Sequence, residues 1–88
     1  MITEAFTIAI TSTDILANKP SGLTFFSIQN NDATNPIWVR IGTGAATVAN
    51  GWKLAAGESL SIKNPINNEI RAISTGGNVS AIVAWDRG

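Results

Sequence analysis

The 88 residues include six Lys/Arg and six Asp/Glu, no histidine and no cysteine, for a formal net charge of zero. One domain over residues 1–88 is the expectation for that length. Without Cys and His there are no disulfides, no usual zinc ligands and neither a thiol nor a Ser-His-Asp mechanism. The scattered cations (Lys19, Arg40, Lys53, Lys63, Arg71, Arg87) offer no basic run for a nucleic acid backbone or an anionic membrane.

Along the chain, apolar residues recur with period two, the signature of half-buried strands. Residues 4–12 set Phe6, Ile8 and Ile10 on one face, and Thr7, Ala9 and Thr11 on the other. Met1–Phe6 has neither a basic start nor a long apolar run, so no secretory signal is expected and synthesis in a cytoplasm is. Residues 12–18 are short, with Ser12 or Thr13 as a possible N-cap, and predict a helical turn closed by Lys19-Pro20.

Residues 22–30 carry Leu23, Phe25, Phe26 and Ile28, enough to bury part of both faces. Asn30-Asn31-Asp32 and Asn35-Pro36 bracket the next turn. Residues 36–42 then alternate Ile37, Val39 and Ile41 against Trp38 and Arg40. Residues 43–51 are the run of smallest side chains and read as an exposed loop ending in Asn50-Gly51, a dipeptide that favours positive φ at both positions.

A tight turn at Gly57-Glu58 leads into residues 58–63, where Leu60 and Ile62 alternate with Ser59, Ser61 and Lys63. After Asn64-Pro65 and Asn67-Asn68, residues 68–74 supply Ile70 and Ile73. Gly76-Gly77 precedes a last strand over 78–86, with Val79, Ala81, Val83 and Trp85 on one face. Its Ala81–Trp85 stretch is the longest apolar run and is too short to span a bilayer. Turns at about ten-residue spacing predict an all-β fold, a small antiparallel β-sandwich or jelly-roll-like barrel of about six to seven strands.

Reactive chemistry is scarce. Glu4, Asp14, Asp32, Glu58, Glu69 and Asp86 each sit beside a turn or strand end, where solvation or backbone hydrogen bonding accounts for them. Gly42-Thr43-Gly44 lacks the Gly-Lys-Ser/Thr that completes a phosphate loop. No run of acidic ligands surrounds Asp14 or Asp32, so calcium is not expected. Asn78-Val79-Ser80 matches a glycosylation sequon and reads as the start of a strand. No metal, no cofactor and no catalytic residue is therefore assigned, and the chain is read as a non-enzyme.

A chain of this size buries only about 60% of the surface its unfolded form exposes. Subunit contacts are the stabilising device left to it. Charged residues are 14% of the chain, against about 25% on average, and part of the uncharged surface is accordingly read as an interface. The alternative is an ordinary solvent surface of Ser, Thr and Asn. Trp85 is in register with core residues. Trp38 shares a face with Arg40 and points outward, and Trp52 follows a loop. Trp and Arg are the residues that dominate contact hot spots, so Trp38, Arg40, Trp52, Lys53 and Arg71 are candidate contacts, with Ile2 to Phe6 as a possible arm. Exposed tryptophans also suit a sugar-stacking platform, though no cluster of Asp, Asn and Arg stands near them to grip hydroxyls.

Several segments together resemble small β-sandwich virion structural proteins of tailed bacteriophages. They are Asn30-Asn31-Asp32, Ile37-Trp38-Val39-Arg40-Ile41-Gly42, and the hairpin Gly51-Trp52-Lys53-Leu54-Ala55-Ala56-Gly57-Glu58-Ser59-Leu60-Ser61-Ile62. Glu69-Ile70-Arg71-Ala72-Ile73-Ser74 and Val79-Ser80-Ala81-Ile82-Val83-Ala84-Trp85 complete the set. The likeness covers most of residues 24–86 and leaves out the N-terminal strand and residues 11–22. It implies a capsid decoration or cement protein, a homotrimer at threefold positions bridging subunits of the major capsid protein. That places it on the capsid surface of a virion assembled in the host cytoplasm. A tail, baseplate or head-fibre module, or a carbohydrate-binding module for host attachment, is the alternative.

Overall fold

The computed structural model describes residues 2–16, 22–42, 44–65 and 70–86. They form eight strands: β1 (Ile2–Ile8), β2 (Thr13–Asp14), β3 (Phe25–Asn30), β4 (Ile37–Ile41), β5 (Trp52–Leu54), β6 (Ser59–Lys63), β7 (Ile70–Ser74) and β8 (Val79–Asp86). All ladders are antiparallel. One four-stranded sheet, sheet A, runs β1-β8-β3-β6, and the other, sheet B, runs β2-β7-β4-β5.

That order has a simple origin. Pairing β1 with β8, β2 with β7, β3 with β6 and β4 with β5 makes one long hairpin whose apex is the β4–β5 connection. Rolling this ribbon up adds the β3·β8 and β4·β7 ladders and closes the two sheets over one core. This is the jelly-roll form of the sandwich. The short β2 and β5 account for the strands beyond the expected six to seven.

Period-two alternation fills the core as the sequence predicts. Ile8, Phe26, Ile28, Val79, Ala81 and Val83 from sheet A meet Ile37, Val39, Leu54, Ile70 and Ala72 from sheet B. Trp85 packs partly buried against this cluster, in agreement with its register. Ile73 points away from the core, on the face of Trp38, its ladder partner.

Two segments differ from expectation. Thr13 and Asp14 pair with β7 instead of starting a helical turn, and Ile15 and Leu16 bury in the core; residues 17 and 18 lie outside the described residues. A few residues cannot nucleate a helix, whereas pairing and burial hold them at once. Ile10 is 59% exposed although it continues the Phe6, Ile8 alternation. The chain leaves sheet A after Ile8 to cross to sheet B, so the inward face ends there.

The connections fall at two ends. At the turn end lie residues 9–12, 31–36, 55–58 and 75–78. At the apex end lie the described residues of the other three connections, the start of β1 and the end of β8.

Candidate interaction surface

The outer face of sheet B gathers four of the sequence candidates. Arg40 sits opposite Arg71 in the β4·β7 ladder, and Trp38 sits opposite Lys53 in the β4·β5 ladder. The Lys53 ammonium lies 5.9 Å from the centre of the Trp38 ring, within cation–π range. Arg71 reaches Asp14 on β2 at 3.8 Å, which offsets part of the repulsion expected between like charges opposite one another.

This face is not bare. The apex connection folds back across it instead of standing out into solvent. Arg71 Nη1 donates to the Gly44 carbonyl at 3.3 Å, and the Ala46 amide donates to Ser12 Oγ at 2.9 Å. Residues 44, 45 and 47–50 are exposed as expected, while Ala46 is buried, so the loop covers the sheet at that point. Trp38 and Arg40 are consequently half-buried, and Lys53 stays exposed.

Asn50-Gly51 departs from the expected turn chemistry, because neither residue has a positive φ. Glycine is required for space. A Cβ on Gly51 would stand 2.6 Å from the Trp38 Cβ and 3.0 Å from the Thr47 carbonyl oxygen. The turn itself is closed by Gly51 N–H to the Thr47 carbonyl at 3.0 Å.

Trp52 is on the other face of β5, opposite Val39 and in phase with the core. It is nevertheless 66% exposed, because β5 is an edge strand and the apex end is open. With Val39, Ile41, Asn50 and Gly51 it lines an open cleft of about 240 Å³. Ile41 is 56% exposed beside it, and Val48 in the adjoining turn is exposed too. Sequence reasoning placed Ile41 with its inward neighbours Ile37 and Val39; its only warning was the Gly42 that ends the strand. Val48 carries no periodic signal.

The cleft is poor in polar groups for a ligand. Asn50 Oδ1 accepts the Thr47 amide at 2.8 Å and Nδ2 donates to the Ala45 carbonyl at 3.2 Å, so the amide lining it is tied back to its own loop. Ile2 and Phe6 belong elsewhere. Both are on β1, the far edge of sheet A, where Ile2 is exposed and Phe6 packs against the core. The seven candidates thus divide into a β4–β5–β7 group and a β1 group.

The acidic residues of the turn end serve the backbone. Asp32 Oδ2 accepts the Asn35 amide at 2.7 Å and the Thr34 amide at 3.0 Å. These bonds, Asn35 first, hold its carboxyl below the ordinary aspartate value. Glu58 Oε1 accepts the Ala55 amide at 2.7 Å across the turn in which Gly57 adopts a φ of +82°.

Among the described residues no group of His, Cys, Asp and Glu gathers to hold a metal ion, and no helix is long and apolar enough to cross a membrane. No protein-family model and no curated protein matches this chain.

Proposed function

We propose that the chain is a non-enzymatic structural protein of a tailed-phage virion, a capsid decoration protein that stabilises the head by bridging neighbouring capsid subunits. The observation that carries the reading is the cleft around Trp52. A large aromatic stands 66% exposed beside an exposed Ile41, in a chain with only 14% charged residues and no histidine or cysteine. Buried aromatic anchors dominate the energy of protein contacts, and many modest contacts around a closed shell act together.

A glycan-binding module is the competing use of an exposed tryptophan. It needs free hydrogen-bonding groups beside the ring, and the Asn50 amide is already engaged at both ends. That favours an apolar protein contact.

The test is to mix the purified chain with empty heads from the phage that encodes it. Saturable binding that raises the temperature at which the heads open, lost in Trp52→Ala, is the expected result. No binding to heads, with binding to tails or to a glycan array in its place, overturns the decoration role and assigns the chain to the tail or to host attachment.

A further inference from the structure

Each of the two sheets has two edges, and three of the four are blunted by familiar means. β2 is two residues long and β5 is three. β6 carries Lys63 and runs into Asn64, which has a φ of +50°, and Pro65. The fourth edge is different. β1 is seven residues long, contains no Lys and no Pro, carries Glu4 as its single charge, and its residues Ile2, Thr3, Glu4, Ala5 and Thr7 are exposed. Among the described residues it pairs with β8 alone.

We propose that β1 is a self-association edge: it pairs antiparallel with β1 of a second copy across a two-fold axis at Ala5, joining two four-stranded sheets into one of eight. The side chains select the partner and the register. In an antiparallel ladder, residues directly opposite lie on the same face, so only registers that match inward with inward residues keep both sheets continuous. An axis at Glu4 sets two carboxylates opposite each other, which is destabilising. An axis at Phe6 leaves Ile2 and Thr3 without partners. An axis at Ala5 pairs all seven residues, Ile2 with Ile8, Thr3 with Thr7 and Glu4 with Phe6, and sets no like charges opposite. A strand that can pair with its own reversed copy over its full length, with no like charges directly opposite, points to a second copy of this chain.

The pairing does not depend on the virion reading and departs from the threefold assembly that the phage resemblance implies, so the two stand or fall separately. Its test uses a charge swap at Ala5, which is exposed on the outer face of sheet A. Light-scattering chromatography of the wild type, up to roughly millimolar concentration, is expected to show a monomer–dimer equilibrium. Ala5→Lys and Ala5→Glu should each weaken the dimer several-fold. Mixed one to one, they should pair on the order of tenfold more tightly than either does alone. Hydrogen exchange on the wild type gives a second readout that needs no variant: the amides of residues 2–8 should gain protection as concentration rises. A strict monomer, a trimer, a charge swap that does not restore pairing, or β1 protection independent of concentration overturns the proposal.

Discussion

The two ends of the sandwich are built on opposite principles. At the turn end the buried Asn30 knots three segments together. Its Nδ2 donates to the Asn35 carbonyl at 2.8 Å and the Leu54 carbonyl at 3.0 Å, while its Oδ1 accepts the Asp32 amide at 2.9 Å. Its backbone exchanges bonds of 2.9 Å with the 57–58 turn. At the apex end the large apolar side chains Ile41, Val48 and Trp52 are left in solvent and the single cleft side chain that bonds, Asn50, serves its own loop. One end spends its polar groups on holding itself; the other leaves apolar surface in solvent. Polar bonding and exposed apolar surface therefore separate by position, and variants at each end should report on different properties.

A large stability loss is expected at the turn end. Asn30→Ala leaves the buried Leu54 carbonyl and the Asn35 carbonyl and Asp32 amide without their partner. An unsatisfied buried group costs about 1–3 kcal/mol, and with water recovering part of this the sum is about 3 kcal/mol. For a domain of this size that lowers Tm by about 15 °C. Thermal unfolding followed by circular dichroism reads it, and a fall of only a few degrees would mean that the knot is not what holds this end.

Gly51→Ala is the matching break at the apex end. The new methyl group would meet the Trp38 Cβ at 2.6 Å and backbone atoms beyond it, none of which is the free tip of a side chain. Overpacking of this kind costs about 1–3 kcal/mol. Gly76→Ala at the turn end meets instead the end of the Asn35 side chain at 2.5 Å, which can rotate. Urea unfolding of the two variants should rank Gly51→Ala as the more damaging; the reverse order would show that Trp38 gives way more readily than Asn35.

These cases also mark how far the sequence could be read. The sandwich, the inward faces and the outward Trp38 follow from period two, because half-buried strands write their burial into alternation. The turn at Gly57 was legible because a positive φ selects glycine. At Gly51 the same signal misleads, since a glycine required for a close approach to Trp38 looks identical in one dimension. Asn30 appeared as a turn residue and proved to be a buried hub, because what it binds is 5 and 24 residues away. The Trp52 cleft depends on where β5 falls in the sheet order, and only rolling the ribbon puts a core-phased tryptophan on an open edge. The fold-back of the loop over Arg40 and Arg71 had no trace in a run of small residues.

A change of pH probes the turn end through Asp32. The Asn35 and Thr34 amides hold the Asp32 carboxyl below its ordinary value of 3.8. The folded state therefore favours the ionised form, and the stabilisation is complete above that ordinary value and fades as pH falls through the depressed one. Asp32→Asn should unfold at lower urea than the wild type near pH 7. The gap between them should shrink as pH falls to about 3 and below. A gap unchanged over that range would show that the side chain acts through its shape and not its charge.

The smallest effect on stability, and the one that best sharpens the comparison, belongs to Trp52→Ala. Trp52 and Leu54 are neighbours in phase on β5, yet Leu54 is 2% exposed and Trp52 66%. Leu54→Ala should cost about 2–5 kcal/mol, as core truncations do. Trp52→Ala should change the unfolding free energy by no more than about 0.5 kcal/mol, the range for exposed positions. If the tryptophan is a contact anchor, the same change should weaken attachment to its partner by about 2 kcal/mol or more, roughly thirtyfold. A Trp52→Ala protein as stable as the wild type but deficient in attachment would separate the function of the apex end from the fold that carries it. A protein that unfolds instead would show the cleft to be part of the core and remove the main support for a contact surface there.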